Sequence, residues 1–236
     1  EGSRIVEELT SLDPARRLAG CRLILNVFDS NVSTALEQFT TKQLCSLLPL
    51  RLVDAVPEVR AEMANAVRNM TCSMNPQVLQ RMVDSGVARA IVGTIVQAAG
   101  GAAAASAPTT TTTLDAAALA SLLSAMGALV AGCVDANDDV QEAAALLPAL
   151  LHLISNPTHA VRRNAADTLL TCTDDNRACC AAVAAAGGVA ALEAALAPPS
   201  TVFTSTAAVA SGAEGEEPEA YKRVACAGVL LNLALL

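Results

Sequence analysis

Pro57 to Thr71 reads PEVRAEMANAVRNMT, and this stretch decides the fold. Pro57 suits a first helical turn, where its missing N–H does no harm. Val59, Met63, Ala66, Val67 and Met70 then recur at three- and four-residue steps, the spacing of one helix face. The same wording returns at Thr158 to Thr171, THAVRRNAADTLLT. Superposing Arg60 on Arg162 places Ala64 on Ala166, Val67 on Leu169 and Asn69 on Thr171. Two shorter copies are Arg17 to Asn26, RLAGCRLILN, and Arg223 to Asn232, RVACAGVLLN. The shared pattern is Arg, a small residue four on, an aliphatic seven on and usually Asn nine on.

A helix pair repeats as well. Pro76 to Ala99 and Ala178 to Ala197 each read as a short apolar helix, a Gly at 86 or 188, and a second apolar helix opening on Val. Glycine there supplies a left-handed or sterically tight turn. Gly86 to Gly188 is 102 residues, as is Arg60 to Arg162, so two markers give one register. A further unit, containing Asn137 to Ile154, falls inside that interval. The expected fold class is all-α, a right-handed superhelical solenoid of about five three-helix repeats. Long third helices are expected near 14–27, 57–72, 114–133, 158–172 and 218–235. Each unit has apolar residues on more than one face, so stacking is needed to bury them. Residues 1–236 read as one solenoid, with low-complexity insertions at 100–113 and 198–218 rich in Gly, Pro, Ser and Thr. Both insertions fall between a second and a third helix, on one edge. The start at Glu1 and the Leu-Ala-Leu-Leu end read as those of a fragment.

Composition agrees. Fifty of 236 residues are alanine, and only three Phe and one Tyr provide aromatic rings. Alanine loses no side-chain entropy in a helix and lets helices approach closely. An acidic chain with so few aromatics is a poor phosphate-binding or base-stacking surface, so no direct nucleic-acid partner is expected. No apolar run reaches the ~20 residues of a membrane span, so no membrane partner is expected. The eight cysteines form no Cys-x-x-Cys pair and the histidines are only two, His152 and His159. They read as small core residues in a reducing compartment, and neither metal nor cofactor is expected. Asp138/Asp139 and Asp174/Asp175 read as helix caps.

These residues resemble the armadillo-repeat family over nearly the whole chain outside the two insertions. The best motifs are PEVRAEMANAVRNMT and the junctions VDSGV and VAAAGGV. The 43 residues from Arg17 to Arg60 are close to the family period of about 40–47. The resemblance implies a concave groove lined by the third helices, where asparagine amides bind the backbone of an extended peptide. By it, Asn26, Asn69 and Asn232 are groove residues, and Thr171 is a departure. In the importin-α branch a Trp stands four residues before that Asn. Arg22, Asn65, Asp167 and Gly228 hold those positions, so the aromatic slots for lysine stems are missing. Asn65 joins the groove set. Within the family, LDPARRLAGCRLILN and the low-complexity acidic loop are similar to mixed armadillo/HEAT adaptors. Those adaptors escort the large-subunit ribosomal proteins that carry 5S rRNA into the nucleus. Their importin-recruiting basic stretch ending in Pro-Tyr, and their HEAT half, are absent from this sequence.

Charge bears on the partner independently. Residues 1–89 hold ten acids and ten bases, so the net −8 lies wholly in residues 90–236. Such asymmetry concerns association, not fold. It points to a basic partner on an acidic surface of Asp135, Asp138, Asp139, Glu142, Glu214, Glu216 and Glu217. The expected function is a monomeric, non-enzymatic adaptor or chaperone for basic ribosomal proteins, acting between cytoplasm and nucleus, with an importin as a possible second partner. The alternative is a structural armadillo scaffold in a cytoskeletal or ribonucleoprotein assembly. No phosphate loop or Gly-x-Ser-x-Gly elbow is present. A cysteine nucleophile would have to be Cys172 beside one of the two histidines.

Overall fold

The computed structural model describes residues 2–30, 42–103, 114–133, 145–197 and 216–235. Among the described residues every regular element is an α-helix. In chain order these are α1 (Gly2–Thr10), α2 (Pro14–Ser30), α3 (Lys42–Leu52), α4 (Pro57–Cys72), α5 (Pro76–Asp84) and α6 (Val87–Ala103). Then come α7 (Ala116–Gly132), α8 (Leu146–Leu153), α9 (His159–Thr173), α10 (Arg177–Ala185), α11 (Gly188–Leu196) and α12 (Glu216–Ala234). The five long helices stack in sequence order: α2 on α4, α4 on α7, α7 on α9, α9 on α12. A second row runs beside them through α1, α3, α6, α8 and α11, each against its neighbour. Among the described residues this is a one-dimensional stack of neighbouring units, an α-solenoid.

The apolar stripe read from the sequence is the core. Val59, Met63, Ala66, Val67 and Met70 are all fully buried, as are their counterparts Ala166 and Leu169. Seven of the eight cysteines are buried and Cys72 is exposed. Two helix limits differ from the sequence reading. The helix α6 runs on to Ala103, and α12 begins at Glu216, inside the expected second insertion. The rest of both insertions, 104–113 and 198–215, lies outside the described residues.

The recurring arginine has a structural task. Arg17, Arg60 and Arg162 are each the fourth residue of their helix. Arg17 Nη1 donates to the carbonyls of Ser11 (3.2 Å) and Leu12 (2.9 Å). Arg60 Nη1 donates to those of Asp54 (2.6 Å) and Ala55 (3.2 Å). Arg162 Nη1 donates to those of Asn156 and Pro157, both at 2.9 Å. The guanidinium thus ties down carbonyls of the turn that leads into its own helix. Leu119 takes that place in α7 and is buried without a charge.

The helix pair repeats at 101 residues rather than 102. Its equivalent positions are Met74 and Asp175, both at φ +49°, and Gly86 and Gly187, at φ +81° and +76°. Asn75 and Asn176 are the matching N-caps of α5 and α10. The shift arises because α4 has 16 residues and α9 has 15. The left-handed turn of the second pair is therefore at Gly187, and Gly188 opens α11. Gly188 has the other glycine duty: a Cβ there would stand 2.6 Å from the Val183 carbonyl oxygen. Asp174 and Asp175 are not helix-start caps either. Asp174 ends α9, and Asn176 accepts from the Cys179 N–H at 3.1 Å. Asp138 and Asp139 lie outside the described residues.

These two glycine duties predict different responses. Gly188→Ala is expected to cost about 1–3 kcal/mol, because the backbone of Val183 must shift. Gly86 has open space around it, so Gly86→Ala should cost only the left-handed backbone penalty of about 1–2 kcal/mol, and Gly86→Asn less. Urea denaturation of the three variants separates the cases: only Gly188→Ala has a steric origin that Asn at Gly86 cannot mimic.

Candidate peptide-binding groove

Among the described residues, the first two long helices of the stack, α2 and α4, carry polar residues along one edge. On α2 this edge carries Arg22 and Asn26, both exposed, and on α4 it carries Glu58, Glu62, Asn65 and Asn69. A cleft of about 390 Å³ opens there between α2, α4 and the start of α7. Its lining is Leu18, Arg22, Pro57, Glu58, Ala61, Glu62, Asn65, Leu114 and Asp115. Three carboxylates therefore face one guanidinium. Arg22 Nε pairs with Glu62 Oε1 at 3.1 Å in an exposed bridge that adds little stability. Asp115 caps α7 by accepting from the Ala118 N–H at 2.6 Å. Glu58 is exposed and has no ion-pair partner among the described residues. The cleft has an excess of negative charge and a half-apolar floor.

The expected groove amides divide. Asn65 lines the cleft, and its Oδ1 accepts from the Ser121 hydroxyl of α7 at 2.8 Å. Asn232 lines a second cleft of about 240 Å³ with Thr173, Asp175, Asn176, Arg177, Cys180 and Leu235. Its Nδ2 donates to Thr173 Oγ1 at 3.2 Å. These two amides thus bind neighbouring long helices. Asn69 is half-buried on the same side of α4. Asn26 is exposed. Of the expected acidic surface, Asp135, Asp138, Asp139, Glu142 and Glu214 lie outside the described residues. Glu216 and Glu217 fall in the first turn of α12.

The sequence reading missed three features. Asn164 Nδ2 donates to the Ala120 carbonyl at 2.8 Å, and Thr168 Oγ1 to that of Leu123 at 2.8 Å, so α9 is bonded to the backbone of α7. Such bonds need small residues on α7, and Gly127 sits at the Thr168 contact. The third feature is Tyr221, whose hydroxyl donates to Asp167 at 3.0 Å while the Arg163 guanidinium stands 4.3 Å from its ring centre. The hydrogen bond to Asp167 holds the Tyr221 phenol above its usual pKa, with partial burial adding to it. An aromatic therefore does stand on the ladder, one helix beyond Asp167, and the chain's own Arg163 covers it.

Catalytic chemistry finds no footing at Cys172. It is fully buried, and burial pushes its thiol up to about 12, with Cys179 adding to the shift. A group so perturbed stays protonated at neutral pH. Among the described residues no group of three or more His, Cys, Asp or Glu could hold a metal ion. No single described helix is long and apolar enough to cross a membrane.

No protein-family model and no curated protein matches this chain. Solved structures do match it. A computationally designed armadillo repeat protein for modular peptide recognition superposes with a TM-score of 0.71 at 17% identity, over 99% of this chain and 82% of its own. The fold is armadillo-like. A designed armadillo repeat protein in complex with the peptide (KR)4 gives 0.68 at 17% identity, over 97% and 80%. An engineered protein gives 0.72 at 19% identity, over 98% and 78%. In this armadillo-like ladder α2, α4, α7, α9 and α12 form the row of third helices.

Proposed function

We propose that this chain is a protein-binding scaffold that takes a basic, extended segment of its partner along the third-helix ladder. The observation that carries the reading is the cleft in which Glu58, Glu62 and Asp115 face Arg22 alone. The net charge of −8 favours the same kind of partner. A designed protein of like fold is in complex with (KR)4. The finer reading is a symportin-like, non-enzymatic adaptor or chaperone for the basic ribosomal proteins that carry 5S rRNA. It would work between cytoplasm and nucleus, and an importin would be its second partner. That reading rests on the sequence resemblance and on the acidic half of the chain.

The test is titration of a labelled (KR)4 peptide, then of purified basic ribosomal proteins. Exposed opposite charges are screened beyond ~10 Å at 0.1 M salt, so affinity should fall steeply as salt rises. Glu58→Lys with Glu62→Lys should weaken binding by more than about tenfold, since two like-charge contacts replace two attractive ones. Binding that ignores both salt and charge reversal would overturn the groove reading. Retention of (KR)4 without retention of 5S-rRNA-binding proteins would leave the scaffold and remove the ribosomal adaptor.

A further inference from the structure

Two ladder positions recur between each pair of neighbouring long helices. One lies five residues after the repeat's marker position, and the other two residues before the next marker. The markers are Arg17, Arg60, Leu119, Arg162 and Arg223. By this register the pairs are Arg22 with Glu58, Asn65 with Ala117, Ser124 with Ala160, and Asp167 with Tyr221. Arg22 and Glu58 line the acidic cleft. The two middle pairs bring neither ring nor charge to these positions. The last pair brings both.

In that last slot the Tyr221 hydroxyl donates to Asp167 Oδ1 at 3.0 Å, and the Arg163 guanidinium stands 4.3 Å from the ring centre. Tyr221 is 41% exposed, and Arg163 and Asp167 are exposed as well. A cation over an aromatic face is attracted by the ring quadrupole. Arg163 therefore shows which chemistry the slot accepts, a guanidinium laid over the ring. Its own seat is incomplete. Arg163 and Asp167 share α9 at i and i+4, with the base ahead of the acid, the less favourable order for such a pair. Asp167 makes no ion pair among the described residues. The carboxylate takes the phenol hydrogen bond and has no counter-charge beside it.

The geometry points to the Tyr221–Asp167 slot as a second binding site on the ladder, one that takes the guanidinium of an arginine in a basic partner, with Arg163 as the tethered competitor that this arginine displaces. An arginine arriving from solvent is not tied to α9. It can lay its plane on the ring and turn its N–H edge to Asp167 at the same time, which Arg163 does not do. Lysine fits less well, because an ammonium is compact, strongly hydrated and has no plane to stack. The slot therefore separates arginine from lysine. The cleft at the head of the stack has carboxylates and no ring in its lining, so it senses charge alone. The inference rests on the reading of this ladder as a surface for basic segments, and on none of the cleft residues.

Tyr221 is the only tyrosine and the chain has no tryptophan, so tyrosine emission reports on this slot alone. Titration of the full chain with octa-arginine should change that emission, and octa-lysine, of equal charge, should change it far less. Arg163→Ala should lower the octa-arginine midpoint about two- to fivefold, the size of one exposed cation–π contact. Arg89→Ala, which removes the same charge from α6, should leave the midpoint where it is. Binding of labelled octa-arginine gives a second reading. There the gain from Arg163→Ala should vanish in a Tyr221→Leu background, because the competitor then has no ring to guard. Circular dichroism should be unchanged in each variant, since the substituted side chains are exposed. Labelled octa-arginine that binds while Tyr221 emission stays constant would overturn the slot and leave the cleft reading intact. An emission change that persists in Glu58→Lys with Glu62→Lys would support the slot even if the cleft reading failed. Equal responses to octa-arginine and octa-lysine, or an Arg163→Ala midpoint that is unchanged or higher, would overturn the proposal.

Discussion

Asp54→Ala is expected to lower the unfolding free energy by about 3–5 kcal/mol. The Asp54 side chain is only 2% exposed. It receives both arms of the Arg17 guanidinium, Nε at 2.8 Å and Nη2 at 2.9 Å. Arg51 Nη1 adds a bond at 2.6 Å and the Val56 N–H another at 3.0 Å. Arg17 belongs to α2, and Asp54 to the turn before α4, so this pair joins one repeat to the next. Alanine would leave the Arg17 guanidinium, with a side chain 11% exposed, buried without its counter-charge. That loss is much larger than the ~1 kcal/mol or less of a surface bridge such as Arg22–Glu62.

The same carboxylate sets a pH dependence. Burial alone would raise the Asp54 pKa, but the hydrogen bonds from Arg17, Val56 and Arg51 outweigh it and hold the carboxyl below its ordinary value. A depressed folded-state pKa gives stability that is complete above the unfolded value of about 3.9 and is lost as pH falls through the folded value. Urea midpoints should therefore hold near neutrality and decline below about pH 4. Asp54→Asn, which keeps the shape and loses the charge, should flatten that decline. An unchanged acid limb in Asp54→Asn would mean that other carboxylates govern it.

How much of this was legible depends on where each interaction lies. The third helices could be read because their marker residues act within one repeat: Arg60 holds its own turn, and Val59, Met63 and Met70 make its own core. The contacts between repeats could not be read. Ser121 to Asn65 and Thr168 to the Leu123 carbonyl depend on how two helices cross, and Ser, Thr and Asn on a helix carry no pattern that announces a partner 45 or 56 residues away. The acidic cleft was hidden by averaging. Residues 1–89 balance to zero, yet folding gathers Glu58 and Glu62 with Asp115 of the next repeat. The 101-residue spacing was missed because Gly187 and Gly188 are adjacent, and only the backbone shows which one takes the left-handed turn.

The abundance of alanine leads to the second large expected effect. Met63→Ala is expected to cost about 2–5 kcal/mol and to fall in the upper part of that range. Met63 is fully buried on α4, with Ala64 and Ala66 fully buried beside it. The cost of a truncation grows with the cavity that remains, at roughly 24 cal/mol per Å³. Alanine has no side-chain rotamers with which to turn into such a space, so the void should persist. Met63→Leu nearly conserves volume and should cost less than about 1.5 kcal/mol. The damage should also be local. Solenoid stability is a sum of repeat and nearest-neighbour terms, and α4 packs on α2, α3, α5 and α7. Hydrogen exchange in Met63→Ala should therefore quicken first in α2, α4 and α7, with α11 and α12 protected longer. Equal loss of protection along the whole chain would show instead that the stack unfolds as one cooperative unit, and the nearest-neighbour account would not hold.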